Sequence, residues 1–299
     1  MRFLTQPSTV QWRDHQWQWS PHLKQGLVFA VLIAIIWWGF ALLLRSANLP
    51  ILIWDDQLAT FTVGNLARPY DQAGFVNPPW TMFFLWPFSL PPFEIAVLLQ
   101  LIVLFVGIIG VIFKFGSPRS ARLASLIVLT SPFALDNALQ LNIDWIVVVS
   151  LLLPPAYCAP LLLTKPQNAI GYLLSFKWSE WVRWTWITLG LILLSFVLWG
   201  NWPLEWLENS NQKLVVWQIN IAPNAFLGYP LAVILGVIVL FFALRRRDPV
   251  LSILAGICFV PYLASYSAIL PFALITVRLP ALAAVISVTI WFVVLGLVL

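Results

Sequence analysis

Residues 25–44 run for twenty positions without a charged side chain (QGLVFAVLIAIIWWGFALLL). A stretch of that length and apolarity matches the roughly 20 residues a helix needs to cross the hydrocarbon core of a bilayer. Similar stretches recur at 93–113, 184–200, 226–244 and 281–299. A chain built around them must satisfy its backbone groups internally, which inside lipid leaves helices or a closed barrel. Runs this long point to helices.

Composition agrees. Charged residues make up 9% and hydrophobic residues 61%, against roughly 25% charged in a soluble globular domain. Mean hydropathy is +0.92. So little charge cannot cover a water-facing surface, which excludes a soluble enzyme, a disordered chain and a nucleic-acid binder. The net charge of +5 falls mostly in short loops between apolar runs, where it reads as topology. Cys158 and Cys258 both lie in apolar stretches and imply no disulfide framework. With His15 and His22 as the only histidines, no metal site is expected.

The predicted class is all-α: a polytopic transmembrane bundle of roughly eight to ten membrane helices, some short or re-entrant. Residues 1–24 read as a cytoplasmic or interfacial tail without a cleavable signal, with Trp12, Trp17 and Trp19 suited to the headgroup region. Residues 25–299 form one domain. Within it, 121–135, 143–155, 157–164 and 167–176 are short apolar pieces, and prolines divide 78–90 and 249–277. Broken segments at membrane depth are tolerated where protein or a water-filled cavity satisfies the freed groups, so a cavity is expected. By the positive-inside rule, Lys24, Lys114, Arg119, Arg122, Lys177, Arg183 and Arg245–Arg247 are cytoplasmic, as is the N-terminus. Loops 45–77 and 201–224 then face outward. This parity requires 78–90 to be re-entrant or part of a bent span; if 78–90 crosses fully, Lys114, Arg119 and Arg122 lie outside. There is no internal repeat of the kind transporters carry.

The first external loop reads ILIWDDQLATFTVGNLARPYDQAGFVNPPW. Asp55 and Asp56 precede a segment in which Leu58, Phe61 and Leu66 can share a helix face. They are either a cap and first-turn charge or a reactive pair. Lys165 stands between Leu161-Leu162-Leu163 and Ala169-Ile170, where an ammonium needs an anionic partner. A bound phosphate, Asp144 or Asp136 would supply one; the other option is snorkelling to the interface. Asp144 reads as a cap at the start of 143–155. Glu94, after Pro91-Pro92, reads as first-turn charge, and Arg278 as an interface anchor or a second phosphate ligand. Tyr70 and Trp80 are of the type that stacks on a sugar ring, but with 18 Trp in the chain the interfacial aromatic belt is the plainer reading.

Several blocks, in order, resemble the polyprenyl-phosphate-dependent glycosyltransferases of the GT-C fold, and in particular glycosyltransferase family 87. The first is the acidic residue after the first span, followed by Phe61, Pro69-Tyr70 and Phe75-Val76-Asn77-Pro78-Pro79; the family often has Tyr where Asn77 stands. The second is Ser131-Pro132 with Gln140-Leu141-Asn142, where Leu139 replaces a Gly. The third is Lys165-Pro166-Gln167. The fourth places Pro261, Tyr266 and Pro271 in a late block, with Ser267 at a position usually held by Asp. The resemblance runs from about residue 25 to 277, over a chain shorter than most members.

The resemblance implies a bacterial plasma-membrane enzyme that moves a sugar, possibly mannose, from a polyprenyl-phosphate donor to an extracytoplasmic acceptor. Asp56 or Asp55 would be the base, since proton removal from the acceptor accompanies attack at the sugar carbon. Lys165 would meet the phosphate. Gln140, Asn142, Tyr70, Asn77 and Tyr266 would line the substrate site. No cofactor is implied beyond the lipid-linked sugar, and no nucleic-acid partner. Two other functions fit the same residues: a non-catalytic membrane subunit or assembly factor that kept the fold, and a transporter of lipid or solute.

Overall fold

The computed structural model describes residues 20–47, 68–71, 75, 77–212 and 220–298. Among these residues the chain is helical, with one isolated bridge between Asn220 and Ala264. The helices are α1 (Pro21–Ser46), α2 (Thr81–Leu85), α3 (Phe93–Phe115), α4 (Pro118–Leu129), α5 (Pro132–Gln140), α6 (Asp144–Ser150), α7 (Ala159–Leu162), α8 (Trp178–Trp199), α9 (Trp202–Gln212), α10 (Pro223–Leu227), α11 (Tyr229–Arg246), α12 (Pro249–Phe259), α13 (Ile269–Arg278) and α14 (Pro280–Val298). Tight 3₁₀ turns join several of them. Four helices, α1, α3, α8 and α11, are long and apolar enough to cross a membrane. The first helix starts at Pro21, capped by the Ser20 hydroxyl accepting from Leu23 N–H at 3.1 Å. His22 and Lys24 therefore belong to the helix, and the expected tail boundary at residue 24 moves back by a turn.

The pair α1/α3 forms the straight side of the bundle. Ala30, Ala34 and Ala41 are buried on α1, small residues that let two backbones approach. The helices are antiparallel: Gly26 faces Ile109 and Phe113, while at the other end Trp38 donates to the Glu94 carbonyl at 2.9 Å. Glu94 sits in the first turn of α3, as expected, 3.8 Å from Arg45.

This pairing resolves the parity. Pro69–Asp71 packs near α9, and α3 begins beside Arg45, so the segment between them starts and ends at one end of the bundle. Its described residues between Asp71 and Phe93 contain only α2 and the four-residue turn Trp86–Ser89 as helical elements. Its described part does not run the length of the bundle. Lys114 consequently lies at the same end as Lys24. Lys177 joins them, because Tyr172 packs on Phe115 and Phe176 on Trp181. Arg278 also does, because Val277 lies beside Gly116. Arg278 is fixed by Asp248 at 2.8 Å, and Asp248 also caps α12. We call this the basic end.

Three broken hairpins rise from the basic end and return to it. The first climbs through α4 and α5 and descends through α6. The second climbs from Cys158 through α7 and returns through Ile170–Ser175. The third climbs through α12 and descends through α13. Glycine permits the second to lie against the third: a Cβ on Gly171 would strike the Ser252 carbonyl.

The kink between α4 and α5 shows how a break at membrane depth is accommodated. Pro132 has no N–H, so the carbonyls just before it lose their helical donors. The Ser131 hydroxyl donates to Val128 at 2.7 Å, the Trp37 indole to Leu129 at 2.9 Å, and the Trp291 indole to Thr130 at 3.0 Å. The two indoles stack, with centroids 6.4 Å apart. Helices from both ends of the sequence thus supply the donors that the kink removed.

Candidate functional site

The tips of the three hairpins meet around Lys165. The first tip is the turn from α5 to α6, which carries Gln140, Asn142 and Asp144. The second is the turn Pro166–Asn168 with Lys165 before it. The third is the turn Ser265–Ala268, with Tyr266 and Ser267. Val148 packs against Gly107 and Leu152 against Gly110, so α6 runs alongside the second half of α3. Asp144, one helical turn before Val148 and so about 6 Å further from the basic end, stands level with the middle of α3.

Lys165 and Asp144 form an ion pair at 2.7 Å, with side chains 8% and 1% exposed. The remaining Lys165 donors reach Ser267 Oγ at 3.0 Å and Asn142 Oδ1 at 3.2 Å. The ammonium lies 4.4 Å from the centre of the Tyr266 ring. Ser267 passes the arrangement on, accepting from Lys165 and donating to Asp144 Oδ2 at 3.0 Å. Asn168 Nδ2 donates to Asp144 Oδ1. Asn137 holds the third tip in place, its Nδ2 donating to the Tyr266 carbonyl at 2.6 Å. An ammonium has three N–H donors, and here each faces an acceptor. A buried charge without such partners would cost several kcal/mol.

The turn that presents Asn142 is strained. Leu141 has φ +37°, a region that side chains other than glycine and asparagine rarely enter. Asn142 Oδ1 steadies it by accepting from the Ile143 N–H at 2.7 Å.

Three expected site residues, Lys165, Asn142 and Tyr266, are thus brought together, and Gln140 ends the helix that leads to them. Lys165 does not snorkel; it takes Asp144, one of the two protein partners anticipated for it. Asp144 is not a cap: Ile143 holds the N-cap position of α6 with no side-chain bond, and the carboxylate turns to Lys165. Tyr70 and Asn77 lie together elsewhere, with the Tyr70 hydroxyl donating to the Asn77 carbonyl at 2.9 Å and its ring 5.6 Å from Phe75. Burial, then the Glu205 carboxylate, push the Tyr70 phenol well above its usual range, so it serves as a donor. Trp80 is not a belt residue. It is buried, donates to the Pro160 carbonyl at 3.0 Å and meets Trp202 edge-on. Asp55 and Asp56 lie outside the described residues.

Sequence reasoning missed Asn137, Asn168 and the role of Ser267. Asn168 follows the Lys165-Pro166-Gln167 block directly, so proximity in sequence could have found it. The resemblance marks Ser267 only as a departure from its pattern, and its partners lie more than a hundred residues away. Among the described residues there is no cluster of His, Cys, Asp or Glu able to hold a metal.

Comparisons with protein-family models, curated proteins and solved structures return no match for this chain.

Proposed function

We propose that this protein is an integral membrane glycosyltransferase that moves a sugar, mannose by its resemblance, from a polyprenyl-phosphate donor to an extracytoplasmic acceptor. The observation that supports the reading best is the polar cluster at Lys165, built at mid-depth from three hairpin tips. Chains seldom place ionisable groups there without a polar ligand or a proton path to serve. The basic end is cytoplasmic by the positive-inside rule, in a bacterial plasma membrane. The loop at 45–77 then sits on the outer side, where Asp56 or Asp55 acts as the base. The cluster forms the inner wall of the site, with Asn142, Gln140 and Tyr266 towards substrate. Lys165 supplies positive potential for the leaving phosphate.

A second reading has its own support. All three Lys165 donors are already matched by protein acceptors, as in a residue that only holds hairpins together. This favours a non-catalytic subunit that kept the architecture.

The deciding assay is transfer of radiolabelled sugar from synthetic polyprenyl-phosphate sugars by the purified full chain, with Asp55→Asn, Asp56→Asn and the double variant. Loss of a general base costs about 10²–10⁴-fold, so one single variant should fall by that factor while remaining folded. Transfer that survives in the double variant removes both carboxylates from the mechanism. A wild type that transfers from no donor supports the subunit reading.

A further inference from the structure

The ion pairs among the described residues are Arg45–Glu94, Arg68–Asp71, Lys165–Asp144 and Arg278–Asp248. One carboxylate of the hairpin core, Asp136, is in none of them. It lies on α5, about one turn before the tip. It is only partly exposed. Gln140, also partly exposed, follows at i+4 and so shares its helix face. A carboxylate and an amide on one face at this depth are costly against lipid, and such residues turn to the bundle interior or to a wet cavity.

Two further groups point to what that space receives. Asn137, next to Asp136, and Asn168, on the second tip, are both wholly buried. Each uses its amide N–H, yet Asn137 Oδ1 and Asn168 Oδ1 meet no donor. Buried acceptors without donors are rare in folded proteins. The Lys165 ammonium is already engaged. The region therefore holds a surplus of acceptors: a carboxylate and two amide oxygens. A ligand rich in O–H donors complements them, and a purely anionic one does not.

We propose that Asp136 is the polyol-recognising residue of this protein, accepting hydrogen bonds from hydroxyl groups of the sugar, while the Lys165–Asp144 pair only frames the site. This rests on the lipid-linked sugar reading above and deepens it: Asp136 discriminates sugar-bearing lipid from bare lipid phosphate.

The test uses the full chain in lipid nanodiscs, with two probes. The first is a soluble methyl mannoside followed by saturation-transfer NMR. The second compares the affinities of polyprenyl-phosphate mannose and polyprenyl phosphate. Asp136→Ala and Asp136→Asn are the variants, each checked for folding by size exclusion. Hydrogen bonds to a charged group are worth enough that Asp136→Ala should lower the preference for sugar-bearing lipid by at least about tenfold. Binding of bare polyprenyl phosphate should be unchanged. Asp136→Asn should lie between, because its amide keeps one acceptor. The mannoside signal should vanish in Asp136→Ala. If the lipid preference survives in a folded Asp136→Ala, or the folded Asn variant alone retains it in full, the inference is overturned while the donor reading stands. If the wild type binds mannoside through Asp136 but neither lipid, the polyol site stands and the donor reading falls. If the wild type binds no probe, both fall.

Discussion

The α1/α3 pair and the hairpin core occupy the same membrane depth but are held together by different physics. The pair is long, uninterrupted and joined by small and apolar residues, and its described polar cross-links, at Glu94, lie at one end. The hairpin core is broken by prolines: Pro132 at the α4/α5 kink, Pro166 at the second tip and Pro261 just before the third. It is held by a buried ion pair, side-chain amides and indole donors. Contacts in the first region are many and individually small, so changes there should be graded. In the second, each polar group depends on a named partner, and removing one strands another.

The largest expected difference follows from that dependence. Lys165→Met leaves Asp144 buried without its cation, and Asp144→Leu leaves the ammonium. Either should cost about 3–5 kcal/mol, whereas removing both partners together should recover much of the loss. Thermal unfolding in detergent, monitored by size exclusion, reads all three. A double variant no more stable than the singles would show that the pair is not self-contained, and that Ser267 or Asn168 carries equal weight.

The indole donors sharpen the comparison at a smaller scale. Trp37→Phe and Trp291→Phe each keep an aromatic ring but leave a carbonyl at the α4/α5 kink without its donor. The part-buried bond of Trp37 should be worth about 1–3 kcal/mol, and the exposed bond of Trp291 less. Trp38→Phe removes the same chemistry from the end of the straight pair, where its bond to Glu94 is exposed. Water or headgroups replace it there, and the loss should be under about 1 kcal/mol. Equal losses at all three positions would erase the distinction between the two regions.

The same contrast explains what the sequence made legible. Apolar length alone marks α1, α3, α8 and α11, and the prolines mark where the hairpins break. Basic residues mark one end of the bundle. Partnership was not legible. Asp144 looks like a cap because it follows Ile143 at a helix start; that it faces Lys165 depends on two tips meeting. Trp80 looks like belt in a chain with many tryptophans, and only the fold shows the Pro160 carbonyl waiting for its indole. The missing information is long-range geometry, which periodicity and spacing do not encode. Asp55 and Asp56, the most suggestive residues in the sequence, lie outside the described residues.

The smallest effect tests whether the core stores strain for a purpose. Leu141 holds φ +37° at the tip that carries Gln140 and Asn142. Backbone in such a region costs of order 1–3 kcal/mol for a residue with a Cβ. Leu141→Gly removes that cost, but adds about 0.5–1 kcal/mol of chain entropy on folding and loses a buried leucine side chain, worth about 1.5–3 kcal/mol. The terms nearly cancel, so the melting temperature should move by only a few degrees in either direction. Function should respond more than stability. The turn geometry places Asn142 against Lys165, and a glycine there lets the tip relax. The expected result is weaker binding of polyprenyl-phosphate sugar at nearly constant stability. If binding and melting temperature fall together, the turn is simply part of the packing, and the strain at Leu141 has no separate role in the site.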